Sequence, residues 1–437
     1  MDDIAQAIFS GMQVQVKSSE FLSFGGINFM DSDFRKFEFE PLITKHLGYR
    51  KPSALYSYSD VLKNLFYMHA IGGEVLDDLN TLREQLKDHP ELIVCSPDTV
   101  EYVSQELKQA NELIVTDKEV THTVNQHEGF NKLLPEQSKQ GGLLNTKQSY
   151  TLDYDGHIVK NKKLDNAVTY KKTEGYYPVV CSINKLPVYM ENRRGNTPES
   201  YRQLDIIIQT LEACKSHHIK IERFRADACC YEKNTIAYLE SLSTRPQYYI
   251  RAEMNRDLRM ALEDETDWQT AWLNNKQVEV CAIEHRVFGQ KKYRRIAAYR
   301  TKATGQLTIE HRDGYDYHAI LTNDPKDPLE IIKFYNHRGC EGEHHFKELD
   351  YDFGWRKLPF DSMEMNTVYM YATIVAYLIF NIFKHLYAAK LSFINPQMRL
   401  KNFTLHFVTL VSKWIRKGRQ WVLNIYTHKN YSSLWVT

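Results

Sequence analysis

The sequence predicts an α/β fold in which helical regions flank a strand-rich centre. Helical periodicity dominates the first third of the chain, for example in SDVLKNLFYMHAIGG and SPDTVEYVSQELKQA. Strand-like runs dominate from about residue 150 to residue 190, and helices and strands then alternate through residue 227. Apolar residues that recur with the helical period favour helices, whereas apolar–polar alternation favours strands.

The N-terminal portion, residues 1–145, is predicted to be mainly helical. Ser96 and Asp98 precede a periodic apolar face, which is where helix-capping residues are expected. The polar segment QSKQGGLLNTKQS, which contains two adjacent glycines, is typical of a linker to the next region.

The composition indicates a globular protein of two or three structural units, since the chain has 437 residues, of which 43% are hydrophobic. Its formal net charge is only +1, so a nucleic-acid surface would have to come from segregated basic clusters. The seven cysteines, an odd number without a CxxC pair, and the lack of a signal peptide predict a cytoplasmic location.

Acidic residues at the ends of two predicted strands are candidate site residues. In YTLDYDGHIV, Asp153 and Asp155 are two residues apart, so both carboxylates face the same side of a strand. Asp227, in HIKIERFRADACCYEKN, ends a strand-like run ahead of a helix-like segment. Helix capping is the commoner reason for such an aspartate, and catalysis is the alternative.

The segment FYNHRGCEGEHHFKELDYDFGWRKLP places Tyr335, Arg338, Glu343 and Lys347 close together. A solvated helix face is the commoner explanation of such mixed charge, but the two separate aspartates favour a three-carboxylate site. Clustered carboxylates raise one another's pKa unless a cation compensates their charge. Two Mg²⁺ or Mn²⁺ ions suit these hard oxygen ligands, and the chemistry indicated is phosphoryl transfer on nucleic acid.

This segment resembles the DDE-type insertion-sequence transposases of the branch that carries a Tyr, Arg, Glu, Lys signature. YNHRG followed by DFGWRKLP is most similar to the insertion-sequence family numbered thirteen-eighty, and the resemblance extends over about residues 30–390. It implies an α/β fold with a ribonuclease-H-like catalytic core at residues 146–390 and a β-rich insertion at about 240–325. Residues 1–145 would bind the DNA ends, and residues 391–437 would form a basic-aromatic helical region.

The resemblance also assigns the site residues. It implies that Asp155, Asp227 and Glu343 are catalytic and hold two Mg²⁺ or Mn²⁺ ions, with Asp153 as the alternative to Asp155. The auxiliary phosphate-binding residues would be Tyr335, Arg338 and Lys347.

Two features depart from the signature. Four residues separate Arg338 from Glu343 where the signature has three, which leaves Glu341 as an alternative third carboxylate. Asp350 stands where the signature has Lys, and Lys347, about one helical turn away, is the candidate substitute.

Two basic-aromatic segments are candidate DNA-binding surfaces. They contribute Lys291, Lys292, Arg294 and Arg295 from FGQKKYRRIAAYRTK, and Lys413, Arg416, Lys417 and Arg419 from KWIRKGRQW. The pattern suits phosphate contact and base stacking, although an exposed amphipathic strand or helix produces it as well. The apolar segment 368–383 is shorter than the roughly 20 residues that span a bilayer, so we expect a buried helix and no membrane partner.

These observations predict a DNA transposase that binds the terminal inverted repeats of an insertion sequence. It would cleave DNA with metal ions and join the ends to target DNA, in cut-and-paste transposition, at the nucleoid of a bacterial cytoplasm. The resemblance further implies that it acts as a homodimer. The alternatives are a transposase-derived DNA-binding protein without catalysis and a metal-dependent DNA nuclease of the same fold.

Overall fold

The computed structural model of the protein contains a mixed sheet of eleven strands within the residues that it describes. These residues are 21–116, 119–303 and 313–434, with the side chains of 339–344 left out. In chain order the strands are β1 Glu112–Val115, β2 Thr121–Asn125, β3 Ser149–Gly156, β4 Val159–Lys160, β5 Ala167–Val168, β6 Glu174–Tyr176, β7 Val179–Ile183, β8 Leu186–Arg193, β9 Lys220–Ala226, β10 Gln247–Arg251, β11 Gln269–Leu273, β12 Lys276–Arg286, β13 Tyr293–Lys302, β14 Tyr315–Thr322, β15 Ser412–Lys417 and β16 Gln420–Ile425.

Helices cover both ends of the chain and the connections between strands. In chain order they are α1 Ile27–Lys36, α2 Phe39–Leu47, α3 Tyr58–Ala70, α4 Asp78–Gln85, α5 Pro97–Leu107, α6 Glu128–Gln140, α7 Gln203–Ser216, α8 Lys233–Ser241, α9 Arg256–Glu263, α10 Pro328–Asp352, α11 Met363–Lys390 and α12 Leu400–Phe403.

The centre of the sheet has the strand order β8-β7-β3-β9-β10. Strands β3, β7 and β8 form an antiparallel meander, whereas β9 pairs in parallel with the other side of β3 and β10 pairs in parallel with β9. Three antiparallel strands followed by two parallel ones, in this order, form the ribonuclease-H-like topology. The predicted fold class is therefore confirmed.

The predicted β-rich insertion extends this same sheet. Strand β14 pairs with β10, and β13, β12 and β11 follow outwards, all antiparallel. At the opposite edge β2 pairs with β8 and β1 with β2, so the mainly helical N-terminal portion also contributes two strands to the sheet. These additions pair the backbone groups that the edges of a five-stranded core would otherwise expose.

Helix α11 lies at the centre of the hydrophobic core. The ring of Phe383 contacts Phe39 and Phe66, from α2 and α3, with ring centroids 6.4 and 5.7 Å away. Tyr371 stacks on Phe130 of α6 at 5.1 Å. The helix is long and apolar enough to cross a membrane, but its most apolar window is buried inside the protein, as the sequence predicts.

The helices predicted for the N-terminal portion are present, and capping residues mark where two of them begin. Helix α3 starts at a capping box, in which the Ser57 hydroxyl accepts from the Asp60 amide at 3.0 Å and the Asp60 carboxylate accepts from the Ser57 amide at 2.9 Å. Ser96 occupies the N-cap of α5, as predicted, and Asp98 lies in the first turn. The Ser96 hydroxyl pairs with the Thr99 hydroxyl and makes no capping bond to the backbone.

In the described part of the predicted C-terminal helical region, residues 391–434, helical structure covers residues 400–408 and a short 3-10 turn at Ser432–Leu434. The basic-aromatic segment KWIRKGRQW instead forms the hairpin β15–β16, in which Lys417 pairs with Gln420. The prediction of a helical segment is wrong here because the two-residue turn starts at Gly418, whose φ of 61° is left-handed. Glycine adopts this conformation without the steric cost of a Cβ, and so the strands can reverse.

Replacement of Phe383 by Ala is expected to destabilise the N-terminal helices and the sheet together, since this fully buried ring packs against α2 and α3. We expect a loss of about 3–5 kcal/mol in the free energy of unfolding. Urea denaturation followed by tryptophan fluorescence and by circular dichroism should shift in one step, whereas Tyr49→Ala, at a side chain 89% exposed, should have little effect. Two separate transitions would show that the N-terminal helices fold as an independent unit.

Candidate active site

The carboxyl ends of β3 and β9 bring Asp155 and Asp227 side by side. The two strands are parallel, with Tyr154 in register with Ala226, so the next residue on each strand is one of these aspartates. Neighbouring strands lie about 4.8 Å apart. Asp227 also caps the turn at Ala228–Cys230, where one carboxylate oxygen accepts from the Cys229 amide at 2.9 Å. The capping role that the sequence offered for Asp227 is thus present, next to a second carboxylate.

Asp153 precedes Asp155 by two residues on β3, and its carboxylate forms an ion pair within the fold. Both of its oxygens accept from the Arg225 guanidinium, at 2.7 and 2.8 Å, and both side chains are buried. Arg225 also donates to the Phe334 carbonyl oxygen at 3.0 Å, and its guanidinium lies over the Phe334 ring. This ion pair ties β3, β9 and α10 together, and it leaves Asp155 as the aspartate of β3 at the mouth of the site.

Arg338, on α10, covers the two strand ends. It forms an ion pair with an Asp155 carboxylate oxygen at 3.0 Å and donates to the Tyr154 carbonyl oxygen at 2.9 Å. Burial raises the pKa of the Asp155 carboxyl, Arg338 opposes the rise, and Asp227 adds to it. The fold therefore disfavours the charge of Asp155 even though a guanidinium is beside it, which is the situation that a bound cation relieves.

Tyr335 lies one turn before Arg338 and is half-buried. Burial raises the pKa of its phenol to about 12, with Arg338 lowering it and Asp227 raising it. The predicted residues Tyr335, Arg338, Asp155 and Asp227 are thus neighbours in the folded chain.

The structure does not bring Lys347 to these residues. Lys347 is nine residues beyond Arg338, which is two and a half turns, so the two side chains leave α10 on opposite faces. Lys347 lines a separate cavity of about 720 Å³ with Glu348, Lys384 and Arg399. Its predicted role as a substitute for the signature lysine therefore has no support from its position.

Asp350, at the signature lysine's position, faces the strand end. It accepts a hydrogen bond from the His157 Nε2 at 3.0 Å, and His157 stacks on Phe346 with ring centroids 4.4 Å apart. His157 follows Asp155 by two residues, so Asp350 and Phe346 hold α10 against the segment that leaves the site.

The third predicted carboxylate lies outside the described side chains. Helix α10 continues through Glu341 and Glu343, but both belong to the segment 339–344, whose side chains the structure does not describe.

Glu199 is a site residue that the sequence analysis missed. It lies between β8 and α7, it is buried, and one of its oxygens accepts from the Tyr177 hydroxyl at 2.7 Å. A carboxylate oxygen of Glu199 also lies within 4.8 Å of one of Asp227 and of the Cys229 sulfur. Burial raises the pKa of the Glu199 carboxyl to about 7, and the charge of Asp227 contributes. Its sequence context, a turn that contains Gly and Pro, carries no signal for such a site.

The donor atoms fit a hard divalent cation. Asp227 and Glu199 offer carboxylate oxygens within 4.8 Å of each other, and Asp155 lies at the end of the neighbouring strand. Mg²⁺ and Mn²⁺ prefer such oxygens. Burial raises the pKa of the Cys229 thiol well above its usual range, and Mg²⁺ and Mn²⁺ prefer carboxylate oxygens to thiol sulfur.

A family model for the transposase DDE domain group 1 matches residues 8–436, nearly the whole chain. The chain belongs to this family. No curated protein matches its sequence. A solved structure with which it can be compared is the cryo-EM structure of piggyBac transposase synaptic complex with hairpin DNA, at 9% identity and a TM-score of 0.47, over 88% of this chain and 80% of that one.

Several cations in the first basic segment of this DDE transposase make contacts within the protein. Arg294 is buried and pairs with Glu240 at 3.0 Å, and Lys292 reaches the same carboxylate at 2.7 Å. Arg295 donates to the Lys326 carbonyl oxygen at 2.9 Å. Arg294 is therefore part of the packing of β13 against α8, whereas Lys291 and Lys292 are exposed.

The cations of the second basic segment are more exposed to solvent than those of the first. On the hairpin β15–β16, Arg416, Lys417 and Arg419 are exposed, and the half-buried Lys413 lies over the Phe21 ring at 5.9 Å. Exposed cations at the tip of a two-stranded hairpin can approach a phosphate backbone without any loss of internal ion pairing.

Replacement of the two aspartates of β3 by asparagine is expected to have different effects on the free energy of unfolding. Asp153→Asn should cost about 3–5 kcal/mol in the free energy of unfolding, because it breaks the buried, bidentate ion pair with Arg225. Asp155→Asn should be neutral or stabilising at pH 7, since the fold raises the pKa of Asp155 and so disfavours its charge. Urea denaturation of both variants measures this difference, and a larger loss for Asp155→Asn would contradict it.

Proposed function

We propose that this transposase binds the terminal inverted repeats of its own element, cleaves the DNA there with divalent metal ions and joins the freed ends to target DNA. The observation that carries the proposal is the adjacency of Asp155 and Asp227 at the carboxyl ends of two parallel strands, beneath Arg338 and Tyr335 of α10. This arrangement combines metal-binding carboxylates with groups that bind phosphate.

In the proposed site Asp155, Asp227 and Glu343 hold two Mg²⁺ or Mn²⁺ ions. When bound, such ions activate a water or a 3′-hydroxyl and stabilise the leaving oxygen of a phosphodiester. Arg338 binds a phosphate oxygen of the DNA, because its guanidinium lies beside Asp155 at the carboxyl ends of the two strands. Tyr335 supports that contact from the previous turn of the helix.

Glu343 is proposed as the third carboxylate because of its position on α10. It precedes Asp350 by seven residues, or two turns, so the two positions share one face of the helix. Asp350 contacts His157, two residues beyond Asp155, and that face therefore borders the strand end. Glu341 is the alternative.

The proposed DNA-binding surfaces are separate from the carboxylates. Residues 1–145 recognise the element ends, and the exposed cations of the hairpin β15–β16 contact the phosphate backbone, with Lys291 and Lys292 as a second contact. Two copies of the chain hold the two ends of the element as a homodimer, in a bacterial cytoplasm.

A catalytically inactive, transposase-derived DNA-binding protein is a second candidate function. It is favoured by Asp350, which replaces the lysine of the signature and is engaged with His157. A metal-dependent nuclease of the same fold would share the site and differ only in the absence of strand transfer.

Neutralisation of the site carboxylates is expected to abolish Mg²⁺-dependent cleavage of a duplex that carries the element's terminal repeats. Asp155→Asn, Asp227→Asn and Glu343→Gln should each lower the cleavage rate by at least about 10³-fold, since each removes a charge that holds the metal ions. The exposed carboxylates Glu84 and Asp88 provide matched controls, and Glu84→Gln and Asp88→Asn should retain full activity.

The products distinguish the candidate functions. Repeat-specific binding of the wild-type protein without cleavage in Mg²⁺ or Mn²⁺ would identify the inactive DNA-binding protein. Cleavage without joined products in the presence of target DNA would identify the nuclease. Retained cleavage by Glu343→Gln, with loss in Glu341→Gln, would move the third carboxylate to position 341.

The charges of the hairpin are expected to set the salt dependence of DNA binding. The double variant Lys417→Gln, Arg419→Gln should flatten the slope of log affinity against log salt concentration by about 2, because two phosphate contacts are lost. The loss of affinity should be equal for a duplex that carries the terminal repeat and for an unrelated duplex. Fluorescence anisotropy at several salt concentrations measures the slope, with Lys215→Gln, Lys233→Gln as the control pair on α7 and α8. An equal slope for both double variants would exclude the hairpin.

A further inference from the structure

We infer that Glu199 is a further metal-coordinating carboxylate of this site, in addition to Asp155, Asp227 and a carboxylate of α10. The inference deepens the proposed metal-dependent function and rests on it. Glu199 reaches the site from the segment between β8 and α7, which none of the predicted site residues occupies.

The first argument is the position of the Glu199 carboxylate. One of its oxygens lies within 4.8 Å of an oxygen of Asp227, a spacing at which one cation can bind both. The alternative, two adjacent carboxylates without a cation, is electrostatically unfavourable in a buried place. Asp155 lies at the end of the strand next to Asp227, so the Glu199–Asp227 pair borders the proposed catalytic aspartates.

The second argument is that the two oxygens of Glu199 differ in their partners. The Oε2 accepts from the Tyr177 hydroxyl at 2.7 Å, whereas the Oε1 is buried and has no hydrogen-bond partner among the described residues. A buried acceptor without a partner costs free energy, and native proteins nearly always satisfy such atoms. A metal ion is the partner that this oxygen lacks.

The third argument is that the backbone of Glu199 is held rigidly. Its carbonyl oxygen accepts from the Tyr154 hydroxyl at 2.7 Å and from the Arg193 guanidinium at 2.9 Å. Arg193 also binds the Pro198 carbonyl oxygen at 2.6 Å and pairs with the buried Glu191 at 2.9 Å. A ligand held this firmly loses little conformational entropy when it binds a metal.

The fourth argument is that the strand end leaves room for Glu199. Gly156 directly follows Asp155, and a Cβ at that position would lie 2.8 Å from the Glu199 Cδ and 2.8 Å from the Tyr177 ring. Glycine at position 156 therefore allows the carboxylate to lie against the end of β3, beside the two aspartates.

The test measures Mn²⁺ binding to the purified full chain, by calorimetry and by the rise in melting temperature that Mn²⁺ produces. Glu199→Gln keeps the volume and an acceptor for the Tyr177 hydroxyl, and it removes the charge. We expect the affinity of the site for Mn²⁺ to fall at least tenfold and most of the Mn²⁺-induced rise in melting temperature to disappear. An affinity and a rise equal to those of the wild type would overturn the inference.

Control variants separate a metal ligand from a structural residue. Glu222→Gln removes a half-buried carboxylate near the opposite end of β9, where it pairs with Lys220, and should bind Mn²⁺ as the wild type does. Gly156→Ala should weaken Mn²⁺ binding as Glu199→Gln does, because the added methyl displaces the Glu199 carboxyl. Tyr177→Phe keeps both carboxylate oxygens and should retain most of the affinity. If Tyr177→Phe lowers the affinity as much as Glu199→Gln, Glu199 acts through its hydrogen bond and the inference fails.

Asp227→Asn distinguishes failure of this inference from failure of the proposed function. Loss of Mn²⁺ binding in Asp227→Asn, with wild-type binding in Glu199→Gln, would overturn the role of Glu199 and leave the metal-dependent site intact. A wild-type protein that does not bind Mn²⁺ would overturn both.

Discussion

The buried ion pair between Asp153 and Arg225 is the interaction on which the arrangement of the site depends. It spans β3 and β9, and the remaining guanidinium nitrogen of Arg225 reaches the Phe334 carbonyl of α10. The desolvation of two charges is costly, and here it is offset by two charge-assisted hydrogen bonds in a bidentate geometry. Because the pair sets the register of the two strands, Asp155 and Asp227 lie two residues further along on the same face. The helix that carries Arg338 is held above them by the same guanidinium.

The site is locally acidic in a chain whose formal net charge is only +1. Burial raises the pKa values of the Asp155 and Glu199 carboxyls, Asp227 adds to the rise, and the Arg338 guanidinium offsets only part of it. In the proposed function this excess of carboxylates holds cations, and without them it costs stability. The rest of the fold offsets that cost with a rigid frame, in which Tyr154, Arg193 and Tyr177 position Glu199, and with the burial of α11 in a common core.

Local sequence patterns predicted much of the fold because periodicity and turn residues act over short distances. The strand ends with Asp155 and Asp227, the buried helix α11 and the long helix with Tyr335 and Arg338 all appear where the patterns indicate. The basic-aromatic C-terminal segment was wrongly placed in a helical region, since alternating cations and aromatic rings suit either a helix or a strand. The turn at Gly418 and pairing with a second strand decided in favour of the hairpin.

The sequence by itself determined which chemical groups are available: carboxylates at strand ends, and a tyrosine and an arginine on one helix. Only the tertiary structure decided how they are used. It engaged Asp153 with Arg225, turned Lys347 to the opposite face of α10, paired Asp350 with His157 and brought Glu199 to Asp227. Each of these outcomes depends on contacts between segments far apart in the chain, and the energy of a buried charge depends on which partner the folded chain places beside it.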